Sequence, residues 1–169
     1  MLSLVMVAAL QAAAPAAADP LAPARIGDLQ CYRPDPVRKT CRALAGYAFA
    51  ADGKILNKAE VLLQDSPPVT MTTVTPVALK NGAVCGPLEG IDNAQIAFRG
   101  RRIPEADAVP IRAQIAQSMG DTLGQEVCTT YHRSGDWWIA EVTLNGVARP
   151  DMGDTLMWVP ASAGYTVQP

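Results

Sequence analysis

Residues 127–149 constrain the fold most, because they contain three short strand patterns joined by two tight turns. Gly135-Asp136 has the glycine-first order of a two-residue hairpin turn, and Asn145-Gly146 is a strong hairpin signal. A turn at Gly135-Asp136 sets the register across the first hairpin: Ser134 with Trp137, Arg133 with Trp138, Tyr131 with Ala140 and Val127 with Leu144. The segment is therefore predicted to be an antiparallel meander.

In this register the side chains of the hairpin divide between two faces. The predicted core face contains Val127, Tyr131, Trp138, Ala140, Val142 and Leu144. The opposite face is mostly polar and contains Cys128, Thr130, His132, Ser134, Trp137, Ile139, Glu141 and Thr143. Such alternation is typical of an antiparallel sheet that is buried on one side. The only histidine and one tryptophan are thus expected on the outer face.

The rest of the chain favours short strands over long helices. Fourteen prolines and thirteen glycines are spread along it, and Asp52-Gly53 and Asn81-Gly82 predict further hairpin turns. Pro76 is expected to make the middle of residues 69–86 an edge strand or a bulge, since proline cannot donate to a ladder. These features predict an α+β fold that is mainly antiparallel sheet built from hairpins.

Residues 104–123 have the pattern of the principal helix. Four apolar residues recur on one stripe: Ile111, Ile115, Met119 and Leu123. Pro110 suits the first turn of a helix, and Gly120 or Gly124 suits its end. The stripe predicts that this helix packs on the sheet.

The N-terminus has the features of a secretory signal peptide. Residues 2–10 form a short apolar run, and Ala16-Ala17-Ala18 precedes Asp19 as a small-residue cleavage site, although no Lys or Arg precedes the run. We predict a signal peptide over residues 1–18, a flexible mature N-terminus over 19–30 and a single disulfide-stapled domain over 31–169. The expected location is periplasmic or secreted, with no stable membrane insertion after signal removal.

An exported chain with four cysteines is expected to contain two disulfide bonds. Three connectivities are possible, and we favour Cys31–Cys41, which closes a short loop, together with Cys85–Cys128. The chain has no C-x-x-C motif and a single histidine, so no metal site or cofactor is predicted. The net charge of -2 produces no strong field, so nucleic acid is not an expected partner.

Known catalytic arrangements are not supported by the residues. His132 has Ser134 and Asp136 nearby, but nothing supplies an oxyanion hole or a nucleophile elbow. The carboxylates lie mainly in predicted turns and helix starts, where acids have structural uses, and no pair suggests a glycosidase. No catalytic residue is therefore assigned.

The favoured function is a non-enzymatic binding module for an envelope protein or polymer. Its predicted surface combines Trp137 and Ile139 with His132 and Arg133, because aromatic residues and arginine dominate binding hot spots. The alternative for this face is a second small core covered by the helix or a loop. Two other functions stay open: an envelope hydrolase that uses unpaired carboxylates, and an inhibitor of a secreted enzyme that inserts the Cys31–Cys41 loop.

Overall fold

The computed structural model describes residues 19–169, so the predicted signal peptide lies outside the described residues. Its strands are β1 (Asp28–Tyr32), β2 (Thr40–Cys41), β3 (Ala43–Phe49), β4 (Ile55–Gln64), β5 (Val69–Lys80), β6 (Ala83–Pro87), β7 (Gln95–Phe98), β8 (Arg101–Arg102), β9 (Glu126–Ser134), β10 (Trp137–Leu144), β11 (Val147–Ala148), β12 (Asp154–Pro160) and β13 (Thr166–Val167). The α-helices are α1 (Ala22–Arg25) and α2 (Glu105–Met119), and short 3-10 helices cover Gly120–Thr122, Pro150–Met152 and Ala161–Ala163.

Eight of the strands close into a barrel-like antiparallel sheet. Around the ring they follow the order β4, β3, β1, β12, β10, β9, β6 and β5, and β5 pairs back onto β4. Strands β7, β8 and β11 extend this sheet, whereas β2 and β13 form a separate parallel pair. The expectation of a mainly antiparallel sheet with one principal helix is confirmed. Closure was not predicted; it leaves the eight strands of the ring without an unpaired edge.

The central hairpin has the predicted register, from Trp137 opposite Ser134 to Leu144 opposite Val127. Gly135, Asn145 and Gly146 all have positive φ, as the two tight turns require. The predicted core face becomes the inner face of the barrel, where the hydroxyl oxygen of Tyr131 lies 3.5 Å from that of Tyr47 on β3 across the ring.

Residues 19–30, expected from the sequence to be a flexible N-terminus, contain α1 and the first residues of β1. Leu21 is completely buried and packs with Ile55 and Val84, which face into the barrel at the end where α1 lies. The Asp19 carboxylate accepts the Leu21 N–H at 2.9 Å and pairs with the Arg25 guanidinium at 2.5 Å. The segment is short and rich in proline and alanine, so its order comes from tertiary contacts and not from local propensity.

Helix α2 packs its predicted apolar stripe against the part of the sheet where β7 extends it beyond the ring. Residues of the stripe contact a buried cluster that includes Met71, Ile96 and Ala108. The expected position of Pro110 is wrong: the helix already begins at Glu105, and Pro110 lies inside it, where it removes a hydrogen bond to the carbonyl four residues earlier. The helix ends at Gly120, where φ is 49°.

Strand β5 continues through Pro76. As expected for a proline, this residue has a partner strand on one side only. Pro76 is paired with Leu56 of β4 on one side. On the other side the register with β7 ends at Thr72 and the register with β6 begins at Ala78, so no ladder bond from Pro76 is needed there. A Cβ atom at Gly86 would lie 2.7 Å from the Pro76 carbonyl oxygen, so glycine permits the close approach of β6.

Both favoured disulfide bonds are present, with Cα–Cα distances of 5.4 Å for Cys31–Cys41 and 4.0 Å for Cys85–Cys128. Cys85 and Cys128 occupy directly paired positions on β6 and β9. Cys31 and Cys41 form a small core outside the barrel with Val159.

Candidate functional site

The inside of the barrel contains a cavity of about 400 Å³. Alternate residues of β1, β3, β4, β5, β6 and β9 line it, as the two-residue period of a strand dictates. Three inward positions on neighbouring strands are alanine, namely Ala43, Ala45 and Ala59, and these small side chains leave the space open. No charged side chain of residues 19–169 is part of the lining.

A polar cluster of one glutamine and three tyrosines lies on the cavity wall. The Gln30 side-chain oxygen accepts hydrogen bonds from the hydroxyls of Tyr47 at 2.9 Å and Tyr32 at 3.2 Å. The Tyr131 hydroxyl oxygen lies 3.5 Å from both of those hydroxyl oxygens. The cluster therefore joins β1, β3 and β9 across the barrel.

The surroundings of Tyr32 and Tyr47 disfavour negative charge. Burial raises the pKa of both phenols well above the ordinary value, and the nearby Tyr131 raises the pKa further. Both side chains are part of the cavity lining. The interior is thus a site of low polarity with a few placed hydroxyl and amide groups.

Two buried polar atoms in the described part of the chain have no hydrogen-bond partner, Nε2 of Gln30 and Nε1 of Trp158. Gln30 is completely buried. The two residues are directly paired on β1 and β12, so both side chains lie on the inner face of the barrel and start about 5 Å apart. Unpaired donors inside a protein are uncommon, and each costs roughly 1–3 kcal/mol of stability.

The cavity continues to the end of the barrel opposite α1. A second space of about 360 Å³ shares Tyr32, Thr129 and Met152 with the cavity lining. Arg33, Arg42 and Asp154 line this second space, and Arg33 pairs with Asp154 at 2.7 Å. With Leu21 buried at the other end, this end of the barrel is the accessible side of the interior.

Three of the four residues predicted for the outer surface do lie together on the outer face of the hairpin. Trp137 and Ile139 are 38% and 39% exposed, and neither belongs to the cluster under α2. His132 is exposed, and its Nε2 lies 3.1 Å from a carboxylate oxygen of Glu141.

Arg133, the fourth predicted residue, belongs to the opposite face. It is paired with Trp138, and its Nε donates to the Gly135 carbonyl oxygen at 3.2 Å. The predicted four-residue surface is therefore reduced to three residues, and its face is open and not covered by the helix.

A groove of about 680 Å³ lies next to this surface, outside the barrel. Ile139 and Glu141 line one part of it, and residues 148–150 line another. It is larger than the interior cavity, but neither of the two unpaired buried donors belongs to it.

The structure brings Cys85, Cys128 and Glu126 close enough to resemble metal ligands. The two sulfur atoms form a disulfide bond, so neither is a thiolate. Glu126 pairs with Lys80. This cluster is accounted for by structural bonds.

Sequence reasoning missed the interior site because it considered Gln30 only as part of the N-terminal segment. Tyr131 was expected in the core, but its hydroxyl was not connected to the hydroxyls of Tyr32 and Tyr47. The available signal was the alternation in β1, where Gln30 and Tyr32 face the same side as a core position. That signal has meaning only once β1 is known to be a barrel strand.

Comparisons of the chain with family models, with curated proteins and with solved structures found no match in any of the three. Within residues 19–169, no helix is long and apolar enough to cross a membrane.

Proposed function

We propose that this protein is an exported, non-enzymatic binding protein that holds a small molecule inside its barrel. The observation that carries the proposal is the completely buried Gln30 on the cavity wall, whose side-chain amide nitrogen has no partner. A ligand atom that accepts a hydrogen bond from this nitrogen would remove the cost of leaving it unpaired. The two disulfide bonds are compatible with an oxidising compartment.

The dimensions and chemistry of the cavity support this function. Its volume of about 400 Å³ falls within the roughly 300–1,000 Å³ of small-molecule sites. Such sites are mainly apolar with a few placed polar groups, which describes alanine and valine walls around the Gln30 cluster. The outer surface of Trp137, Ile139 and His132 is the less supported alternative, because its polar groups are exposed or paired.

Two variants distinguish the interior from the outer surface. Ala45→Leu adds volume to the cavity wall, whereas Trp137→Ala removes the main aromatic group of the outer surface. The neutral fluorescent probe 1-aminoanthracene is expected to bind the unaltered protein, to bind at least tenfold more weakly to Ala45→Leu, and to bind equally well to Trp137→Ala. Loss of binding with Trp137→Ala alone, or no binding to the unaltered protein, would contradict the interior site. Thermal melting of both variants verifies that they are folded.

The hydrolase alternative has no comparable support. The acids nearest to the opening are engaged by arginine, Asp154 by Arg33 and Asp65 by Arg42. Neither is placed beside a nucleophile or a second acid with which it shares a hydrogen bond.

The inhibitor alternative is favoured by one specific feature, the loop between β1 and β2. Val37 at its tip is 94% exposed. The Asp35 carboxylate accepts the backbone N–H groups of Val37 at 3.0 Å and Arg38 at 2.9 Å, and the Cys31–Cys41 bond closes the base of the loop. A protruding loop that is held by its own hydrogen bonds and carries an exposed arginine could occupy the active site of a proteinase that cleaves after arginine.

Trypsin provides the test of this second function. An inhibitor loop predicts stoichiometric loss of trypsin activity that Arg38→Ala abolishes. A matched control is Arg99→Ala, which removes an exposed arginine outside the loop that stacks on Phe98. Rapid cleavage after Arg38 without loss of trypsin activity would reject the inhibitor function.

A further inference from the structure

We infer that the interior site selects uncharged molecules that carry a carbonyl-type hydrogen-bond acceptor, such as a ketone, ester or amide. This inference rests on the proposed function, since it assigns the ligand class of the same cavity. Its basis is the set of hydrogen bonds made by the Gln30 cluster, the unpaired indole N–H of Trp158 at the paired position on β12, and the uncharged lining of the cavity.

The hydrogen bonds of Gln30 leave only donors available. Its side-chain oxygen already accepts from Tyr47 and Tyr32, which orients the amide and leaves both N–H groups of Nε2 without partners. Trp158, at the paired position on β12, has an unpaired indole N–H that can only donate. With its oxygen engaged by Tyr47 and Tyr32, the Gln30 amide offers only donors to a ligand, and these require an acceptor atom.

The lining of the cavity disfavours a charged acceptor. No lysine, arginine or histidine of the described residues lines it, so a carboxylate or phosphate inside would lack a counter-charge. An isolated charge in such surroundings is far more costly than a neutral polar group that is hydrogen-bonded. The raised pKa of Tyr32 and Tyr47 reflects the same environment, which disfavours the phenolates. A neutral carbonyl oxygen satisfies the donors without introducing charge.

The alanine positions determine where the body of such a molecule lies. Ala43 and Ala45 on β3 pair with Val61 and Ala59 on β4, so four small or medium apolar side chains form a continuous wall beside Gln30. Burial of an apolar body there is worth about 25 cal/mol for each Å² removed from water. The apolar wall supplies affinity, and the donors supply selectivity between a carbonyl compound and a hydrocarbon of the same shape.

Three compounds with the same two-ring skeleton test the ligand class: benzophenone, diphenylmethane and diphenylacetate. Each is titrated against the disulfide-bonded protein carrying 1-aminoanthracene, and displacement of the probe is measured. We expect benzophenone to displace the probe at a concentration about tenfold lower than diphenylmethane does, the effect of roughly one good hydrogen bond. Diphenylacetate is expected to be the weakest of the three.

Matched variants connect this preference to Gln30. Gln30→Met and Gln30→Leu both replace the amide by an apolar side chain and so remove its donors. Both are expected to abolish the advantage of benzophenone over diphenylmethane. Asn57→Leu is the control, because Asn57 also lines the cavity but its amide nitrogen already donates to the Gly46 carbonyl at 3.3 Å. This variant is expected to retain the advantage.

The outcomes separate the ligand class from the binding function itself. Equal displacement by benzophenone and diphenylmethane, or tightest binding of diphenylacetate, would overturn the ligand class while the interior site stands. An advantage of benzophenone that survives in the folded variant Gln30→Met would also overturn it. Failure of 1-aminoanthracene to bind the unaltered protein would reject the proposed function, and the ligand class with it.

Discussion

Trp137 and Trp138 are adjacent in the chain but lie on opposite faces of the sheet. Trp138 faces inward and is half-buried, and Trp137 faces outward with 38% of its surface exposed. The alternation of a strand accounts for the difference, since one step along β10 reverses the side-chain direction. The expected order of burial is therefore present, although Trp138 is less deeply buried than a core tryptophan.

This difference predicts unequal effects of two alanine substitutions. Trp138→Ala is expected to lower the free energy of unfolding by about 3 kcal/mol, the lower end of the range for a large buried aromatic. Trp137→Ala is expected to cost less than about 1 kcal/mol, because its ring remains largely in contact with solvent. Urea denaturation of both variants provides the measurement. Equal losses would mean that another part of the protein covers the outer face.

The buried phenols predict a dependence on alkaline pH. Because burial raises the pKa of Tyr32 and Tyr47 in the folded state, these groups retain their protons above the unfolded pKa of about 10. The folded state then binds more protons than the unfolded state, so the free energy of unfolding decreases as pH rises above about 10. Phenolate absorbance during an alkaline titration should include a fraction that appears only on unfolding. Tyr47→Phe should reduce that fraction, and an unchanged fraction would contradict the assignment.

At the scale of elements, the N-terminal turn acts as a closure for one end of the barrel. Leu21 enters the cluster at that end, and α1 is held by the Asp19–Arg25 ion pair and by contact of the Arg25 guanidinium with the Phe49 ring at 4.3 Å. The Arg25 hydrogen bond is the main reason that the pKa of Asp19 is lowered. The ion pair is partly exposed to solvent, so the buried leucine is the larger contribution.

Two substitutions within this segment test the closure. Leu21→Ala should destabilise the protein by about 3 kcal/mol, within the usual range for a buried leucine. Ile26→Ala, five residues later, should have little effect, because Ile26 is 82% exposed. Thermal melting compares the two variants. If Leu21→Ala is neutral, the segment does not close the barrel in solution.

At the scale of the whole molecule, the two disulfide bonds lie in different parts of the fold, one in the barrel wall and one in the small core outside it. Cys85–Cys128 joins β6 to β9 within the barrel wall, between residues that are 43 apart in sequence. Cys31–Cys41 spans only 10 residues, yet both cysteines are buried in the outer core beside Val159 and Tyr165. Its role therefore extends beyond its own proline-rich loop to the pairing of β2 with β13.

Removing each bond in turn is expected to give different results. By loop entropy, the Cys85→Ala, Cys128→Ala pair should lose about 4 kcal/mol and the Cys31→Ala, Cys41→Ala pair about 3 kcal/mol. The second pair should also expose the C-terminal strand to proteases, because its side chains leave a gap in the outer core. Calorimetry and limited proteolysis with mass mapping provide the measurements. Proteolysis confined to residues 33–39 would show that the bond orders only its loop.

The sequence by itself determined the features that depend on near neighbours. The register of β9 with β10 follows from the Gly135-Asp136 turn and a two-residue period, and the apolar stripe of α2 follows from the period of a helix. Local patterns also predicted the start of α2 to within one residue, whereas the burial of Leu21 in the N-terminal segment depends on contacts with distant strands that no local pattern contains.

Only the tertiary structure decided that the sheet closes and that a cavity lies within it. Closure requires β4 and β5 to pair with each other while each also pairs with its other neighbour in the ring, and nothing in a single strand pattern specifies such a ring. The Gln30 cluster unites Tyr32 and Tyr131, which are 99 residues apart in sequence. Their proximity results from chain topology, and the alternation that identifies inward side chains cannot reveal which strands will face one another across the barrel.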